Sequence, residues 1–190
     1  MTFFIIRHYI WNISFKSNFK QSDVFASVRF LKNDFYMIAY DIKGRKYINS
    51  PFKYYFSDVG LRNARLNFRQ QEQTHLMENI IYNELVMRGF NVDVGIIEHV
   101  VRDKDGKRTT KHLEVDFVCN KGSQRYYIQS AFSIPDADKM SQEQASLDRI
   151  DDSFKKIIIT QDRTKLWRTE KGYVIMNVLD FLLKENSLEL

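Results

Sequence analysis

Between His75 and Phe132 the chain sets out one helix and three strands in a fixed order, and that order restricts the folds open to it. His75 to Leu85 carries apolar residues at 76, 77, 80, 81 and 85, the spacing of an amphipathic helix. Gly89 ends it. Val92–Val101 reads as a strand, and a polar turn around Asp105-Gly106 leads to a second, His112–Val118. Lys121-Gly122 turns the chain into a third, Tyr126–Phe132. Further on, Asp138–Ile150 reads as a polar helix and Phe154–Thr160 as a buried strand centred on Ile157–Ile159. Residues 161–172 read as a loop, Tyr173–Met176 as a last strand and Val178–Lys184 as a final helix.

Polar residues interrupt this apolar frame on the helix and on two of the strands. On a helical wheel Glu84 falls in the middle of the apolar face and Glu78 at its edge. A buried Glu84 requires a partner, because an unpaired buried carboxylate is costly. Asp116 lies between Val115 and Phe117, and alternation puts it on the face opposite both, together with Glu114. Gln129 and Ala131 share a face of the third strand.

The order helix Glu78, strand Asp116, strand Ile128-Gln129-Ser130-Ala131 resembles the core of the PD-(D/E)XK nucleases, the restriction-endonuclease-like fold. Its spacing is similar to that of archaeal Holliday junction resolvases. The resemblance implies an α/β domain with a mixed central sheet flanked by helices. It also implies a site at Glu78, Asp116 and Gln129, with Asp116 and Gln129 as ligands to Mg2+, the cofactor of the family. Hard oxygen ligands suit Mg2+, and the metal would activate water for attack on a phosphodiester. The chain departs from the pattern twice. Gln129 stands where a carboxylate belongs, and Ala131 where a lysine would stabilise developing negative charge. The expectation is therefore a nuclease-like module with a degraded metal site, binding nucleic acid or a protein partner. An active Mg2+-dependent DNA nuclease and a regulatory or oligomerisation module are the alternatives.

Upstream, residues 22–33 read as a helix capped by Ser22, and residues 35–49 as a hairpin with a basic tip at Lys43, Arg45 and Lys46. Helix and hairpin are similar to the second half of a winged helix; they read equally well as a cap on the larger domain. This divides the chain into a helix-hairpin unit, residues 1–50, and a nuclease-like domain, residues 51–190. Lys53–Phe56 reads as a short apolar strand and Ser57–Asn63 as a turn and short helix. The blocks Asp41–Lys46, Lys53–Asn63, Glu78-Asn79 and Asn83-Glu84-Leu85 resemble the C-terminal, nuclease-like part of a family of prokaryotic AAA-type ATPases. No Gly-x-x-x-x-Gly-Lys-Ser/Thr loop is present, so the ATPase part is absent from the 190 residues. The resemblance implies DNA, an AAA ATPase or another protein as partner.

Composition narrows the classes further. The net charge of +5 is compatible with nucleic acid, and the basic turn between the first two strands, with Lys107 and Arg108, reads either as a solvated turn or as a further set of phosphate contacts. A single cysteine, Cys119, excludes an internal disulfide and fits a cytoplasmic setting. No apolar run reaches the roughly 18 residues of a membrane span. The four histidines show no metal-ligand spacing.

Overall fold

The computed structural model describes residues 35–190 except 45, 66, 69–71, 103–105 and 107. Among the described residues twelve elements follow in the order β1 (Phe35–Asp41), β2 (Lys46–Tyr55), α1 (Val59–Arg65), α2 (Gln73–Met87), β3 (Asn91–Arg102), β4 (Arg108–Lys121), β5 (Gln124–Ala131), α3 (Ala137–Leu147), β6 (Lys155–Thr160), β7 (Trp167–Arg168), β8 (Val174–Asn177) and α4 (Val178–Leu183). The helix expected over residues 22–33 lies outside the described residues.

The eight strands form one mixed sheet in the order β2-β1-β3-β4-β5-β6-β8-β7. The pairs β3·β4 and β4·β5 are antiparallel, as short turns require, whereas β5·β6 and β6·β8 are parallel and are joined by longer connections. The expected hairpin of residues 35–49 is the β1·β2 pair, and β1 also pairs in parallel with β3, so the hairpin extends the same sheet. Lys53–Tyr55 is the continuation of β2 and not a separate strand. Pro51 does not end β2, because among the described residues β2 is an edge strand, where a missing N–H is tolerated. Around it the register jumps from Met37↔Lys53 to Ala39↔Ile48, setting residues 49–52 against Ile38 alone.

Each face of the sheet has its own core. On one, Met77, Ile81 and Leu85 of α2 and Phe181 of α4 pack on Val94, Phe117, Cys119, Ile128 and Ile157. On the other, Leu147 and Ile150 at the end of α3 pack on Ile97, Val115, Tyr127, Ala131 and Ile158. Ile81 and Leu85 are fully buried, and burial of each contributes roughly 1.5–3 kcal/mol. α2 ends as its sequence dictates: Gly89 adopts φ +84°, and the amide of Phe90 donates to the Leu85 carbonyl at 3.1 Å.

One irregularity decides which way the acidic residues point. Between Asp93↔Val118 and Gly95↔Val115 the β3·β4 register shifts, so Asp116 and Phe117 together oppose Val94. This is a β-bulge, which turns two successive side chains towards one face. Val115 and Val118 lie in the α3-side core, Phe117 and Cys119 in the α2-side core. Beside the bulge only glycine fits at 95: a Cβ there would lie 2.6 Å from Ile42 Cδ1 and 2.8 Å from Val118 Cγ2.

The far end of α2 is tied to the C-terminal segment by Arg88. Its guanidinium pairs with Glu84 at 2.8 Å and lies 4.5 Å from the Phe181 ring centroid. It also donates to the carbonyls of Phe181, Lys184 and Glu185 and to the Ser187 hydroxyl. Glu84 is thus a structural partner. Arg88→Ala would leave Glu84 and several carbonyls without their donor, and the expected loss is about 2 kcal/mol of unfolding free energy. Urea titration of the variant measures it, and a change within 0.5 kcal/mol, as for an ordinary surface site, would show that the clamp carries no stability.

A lysine held by three carboxylates

The centre of the α2 face at the β2 end is an ion cluster. Lys53 Nζ lies 2.7 Å from Glu78 Oε1 of α2 and 3.0 Å from Asp116 Oδ1 of β4, and it also pairs with Glu114 of β4. The Tyr55 hydroxyl donates to the same Glu78 oxygen. Glu114 and Asp116 are two apart on β4, and Lys53 and Tyr55 two apart on β2; each pair shares a strand face. Side-chain exposure is 11% for Asp116, 16% for Glu78 and 28% for Lys53, against 45% for Glu114, which forms the mouth.

The polar residues of α2 hold the end of β2 in place. Asn79, itself buried, accepts from the Phe56 amide at 3.0 Å and donates to the Phe56 carbonyl at 2.8 Å. Asn83 donates to the same carbonyl at 2.9 Å. The Tyr55 ring stacks on Tyr82 with centroids 4.4 Å apart and leans on Phe117 at 6.2 Å. These contacts fix the backbone next to Tyr55 and so aim Lys53 at Asp116.

Electrostatics follow from burial and neighbours. Burial pushes the Asp116 carboxyl up to about 7; Lys53 opposes the rise, Glu78 adds to it, and the Ser130 amide, donating to Oδ2 at 2.8 Å, opposes it again. Burial alone would lower the Lys53 ammonium, but the charges of Asp116 and Glu78 and the bonds from Glu114 and Glu78 outweigh it and hold the group above its ordinary value. The Tyr55 phenol is raised by burial and then by Glu78. At neutral pH the cluster is an ammonium shared by acids that outnumber it, with one proton exchangeable at Asp116.

The residues expected from sequence divide between two places. The structure brings Glu78 and Asp116 onto one ammonium. It puts Gln129 and Ala131 elsewhere: Gln129 pairs with Ile158 in the β5·β6 ladder and shares the α3 face with Tyr127 and Ala131. Its Oε1 accepts weakly from the Asp116 amide at 3.5 Å, where the β4·β5 ladder ends. A lysine at position 131 would therefore not reach Lys53's position. Alternation across Asp116 fails at Phe117, because the bulge turns both towards α2.

Sequence reasoning missed Lys53, Tyr55 and Asn79. The signal available was a lysine two residues before a tyrosine in the aromatic end of a strand, followed by a helix with an acid and an amide side by side. Of the expected phosphate contacts, Lys43 is exposed in the β1–β2 turn, which Asp41 fixes by accepting from the Lys43 and Gly44 amides. Arg108 is exposed at the start of β4; Arg45 and Lys107 lie outside the described residues, and Lys46 begins β2.

The three carboxylates around Lys53 are hard oxygen ligands of the kind Mg2+ takes. They converge on the ammonium nitrogen, however, and among the described residues no three His, Cys, Asp or Glu side chains are placed to hold a metal. As arranged, the residues do not fit Mg2+; Lys53 fills the point at which a cation would sit. Among the described residues no helix is long and apolar enough to cross a membrane.

The chain is 33% identical over 148 residues to an uncharacterised protein of Haemophilus influenzae, a match that covers 76% of this chain and 32% of that protein. The chain thus spans about a third of the length of the curated relative it matches. No family model matches the chain. No solved structure matches it.

Proposed function

We propose that the chain is a nuclease-like nucleic-acid-binding module that does not cleave, in which the Lys53 ammonium takes the place of the metal. The observation that carries this reading is the contact of one lysine with Glu78, Asp116 and Glu114 together. An internal cation satisfies the buried acids without a ligand, and Mg2+ would have to displace it and leave a buried ammonium facing the metal. The net charge of +5 supports binding to a polyanion. The greater length of the Haemophilus relative is consistent with such a module working beside other domains, and the resemblance to AAA-associated chains supports an ATPase as partner.

A second reading, a Mg2+-dependent DNA nuclease, is favoured by one feature. Lys53 and Glu114 bring to the α2 face the ammonium and the second carboxylate that Ala131 and Gln129 lack. One experiment separates the two. The purified chain is incubated with plasmid and with labelled oligonucleotides in Mg2+ or Mn2+, and its affinity is measured across a salt series. The expected result is salt-dependent binding with cleavage at background. Mg2+-dependent cleavage abolished by Asp116→Ala would overturn the first reading in favour of the second, and absence of binding at any salt would overturn its nucleic-acid part.

A further inference from the structure

A second polar feature lies across the sheet from the carboxylates. The β1–β2 turn, the β4–β5 turn and the segment after α3 enclose a cleft of about 670 Å3, within the usual range of small-ligand sites. Its cations are Lys43, Arg125 and Arg149, on three separate segments. Of its acids, Asp152 is engaged: the Tyr127 hydroxyl donates to it at 2.6 Å and the Phe154 amide at 3.2 Å. Asp151 is exposed at the surface of the cleft. Basic character continues along the sheet, since the charges of Arg149, Lys111 and Lys43 all act on His99.

The cleft also carries an aromatic platform. Phe154 lines it and is 41% exposed, with the Arg125 guanidinium 5.5 Å from its ring centroid. Arg125 is itself oriented by Asn120, which accepts from its Nε at 2.7 Å. An exposed ring backed by a guanidinium and flanked by cations from other segments is the combination that binds unpaired bases and their phosphates. Duplex DNA would need phosphate contacts spaced along an open surface, whereas these groups converge in one cleft with a ring available for stacking.

We infer that this cleft seats single-stranded nucleic acid, its phosphates on Lys43 and Arg149 and a base on Phe154. The inference rests on the nucleic-acid reading above and specifies the surface. It places the strand on the α3 side, across the sheet from Lys53.

The test is fluorescence anisotropy with a 5′-labelled dT12 strand and the matching duplex. Native protein, Arg149→Gln, Phe154→Ala and, as a charge control on the distant loop, Lys165→Ala are compared across a salt series. Native protein should prefer the single strand. Arg149→Gln should weaken it about tenfold and lower the log-log salt slope by about 0.7, one phosphate contact on a single strand. Phe154→Ala should weaken it about tenfold with the slope unchanged, and Lys165→Ala should match native. Arg149 is exposed, so its variant serves even if Phe154→Ala fails to fold. Binding unaffected by Arg149→Gln would overturn the cleft and leave nucleic-acid binding standing. Preference for the duplex would overturn the single-strand assignment, and absence of binding to either probe would overturn both readings.

Discussion

Lys53→Met is expected to lower the unfolding free energy by about 3 kcal/mol at pH 8, the low end of the cost of removing one partner from a buried ion pair. The substitution keeps most of the side chain's volume and removes only the charge and its donors. Glu78 and Asp116 would then face each other across an apolar group with no counter-ion between them, and Tyr55 would supply the only remaining donor described to Glu78. Glu114 should contribute little to the loss, since at 45% exposure it can turn to water. Urea unfolding at pH 8 measures the effect. A loss below 1 kcal/mol would mean that the lysine sits among the acids as an exposed ion pair does, contributing almost nothing.

Asp116→Asn is expected to abolish a fall in stability between pH 4 and pH 7 that the native protein shows. The carboxyl of Asp116 is held at about 7 in the fold, against about 3.9 in an unfolded chain. The folded protein therefore binds this proton more tightly than the unfolded one does. Its contribution is fully present below about pH 4 and is lost as pH rises through 7. The largest loss from this group alone is roughly 4 kcal/mol, a ceiling because Lys53 and the Ser130 amide both adjust when the proton leaves. Lys53, raised rather than lowered, stays charged throughout that window and adds no slope. Asparagine keeps an acceptor for Ser130 and cannot titrate, so the variant's curve should run flatter than the native one from pH 4 to 7. Parallel curves for native protein and variant would show that Asp116 does not hold this proton.

How much of this was legible follows from the kind of signal each part carries. The helix and three strands from residue 73 to 131, α3, β6, β8 and α4 were legible because apolar period and turn residues mark them locally. The run of β2 through Pro51 was not, because whether a proline ends a strand depends on that strand's being at an edge, which is a property of the sheet. The face of Asp116 was half legible. Alternation separates it correctly from Val115 and fails at Phe117, since a bulge is a two-strand event with Gly95 as its only mark in sequence. Gln129 and Ala131 were read by analogy with Glu-x-Lys, and the β5·β6 register sends both to the α3 face. Lys53 was invisible because its partners are 25, 61 and 63 residues away, and no local pattern joins a strand lysine to them.

Calorimetric titration of Mn2+ and Mg2+ into native protein, Asp116→Asn and Lys53→Ala tests directly whether Lys53 occupies the point where a metal would bind. The native protein should show no saturable site, because its carboxylates already share a cation. Lys53→Ala, which unlike Lys53→Met removes the side chain from between the three acids, should gain a site and should be stabilised by added Mn2+ as the logarithm of its concentration above Kd. Saturable micromolar binding by native protein that Asp116→Asn removes would contradict the account, and would mean that the lysine stands beside the metal and not in its place.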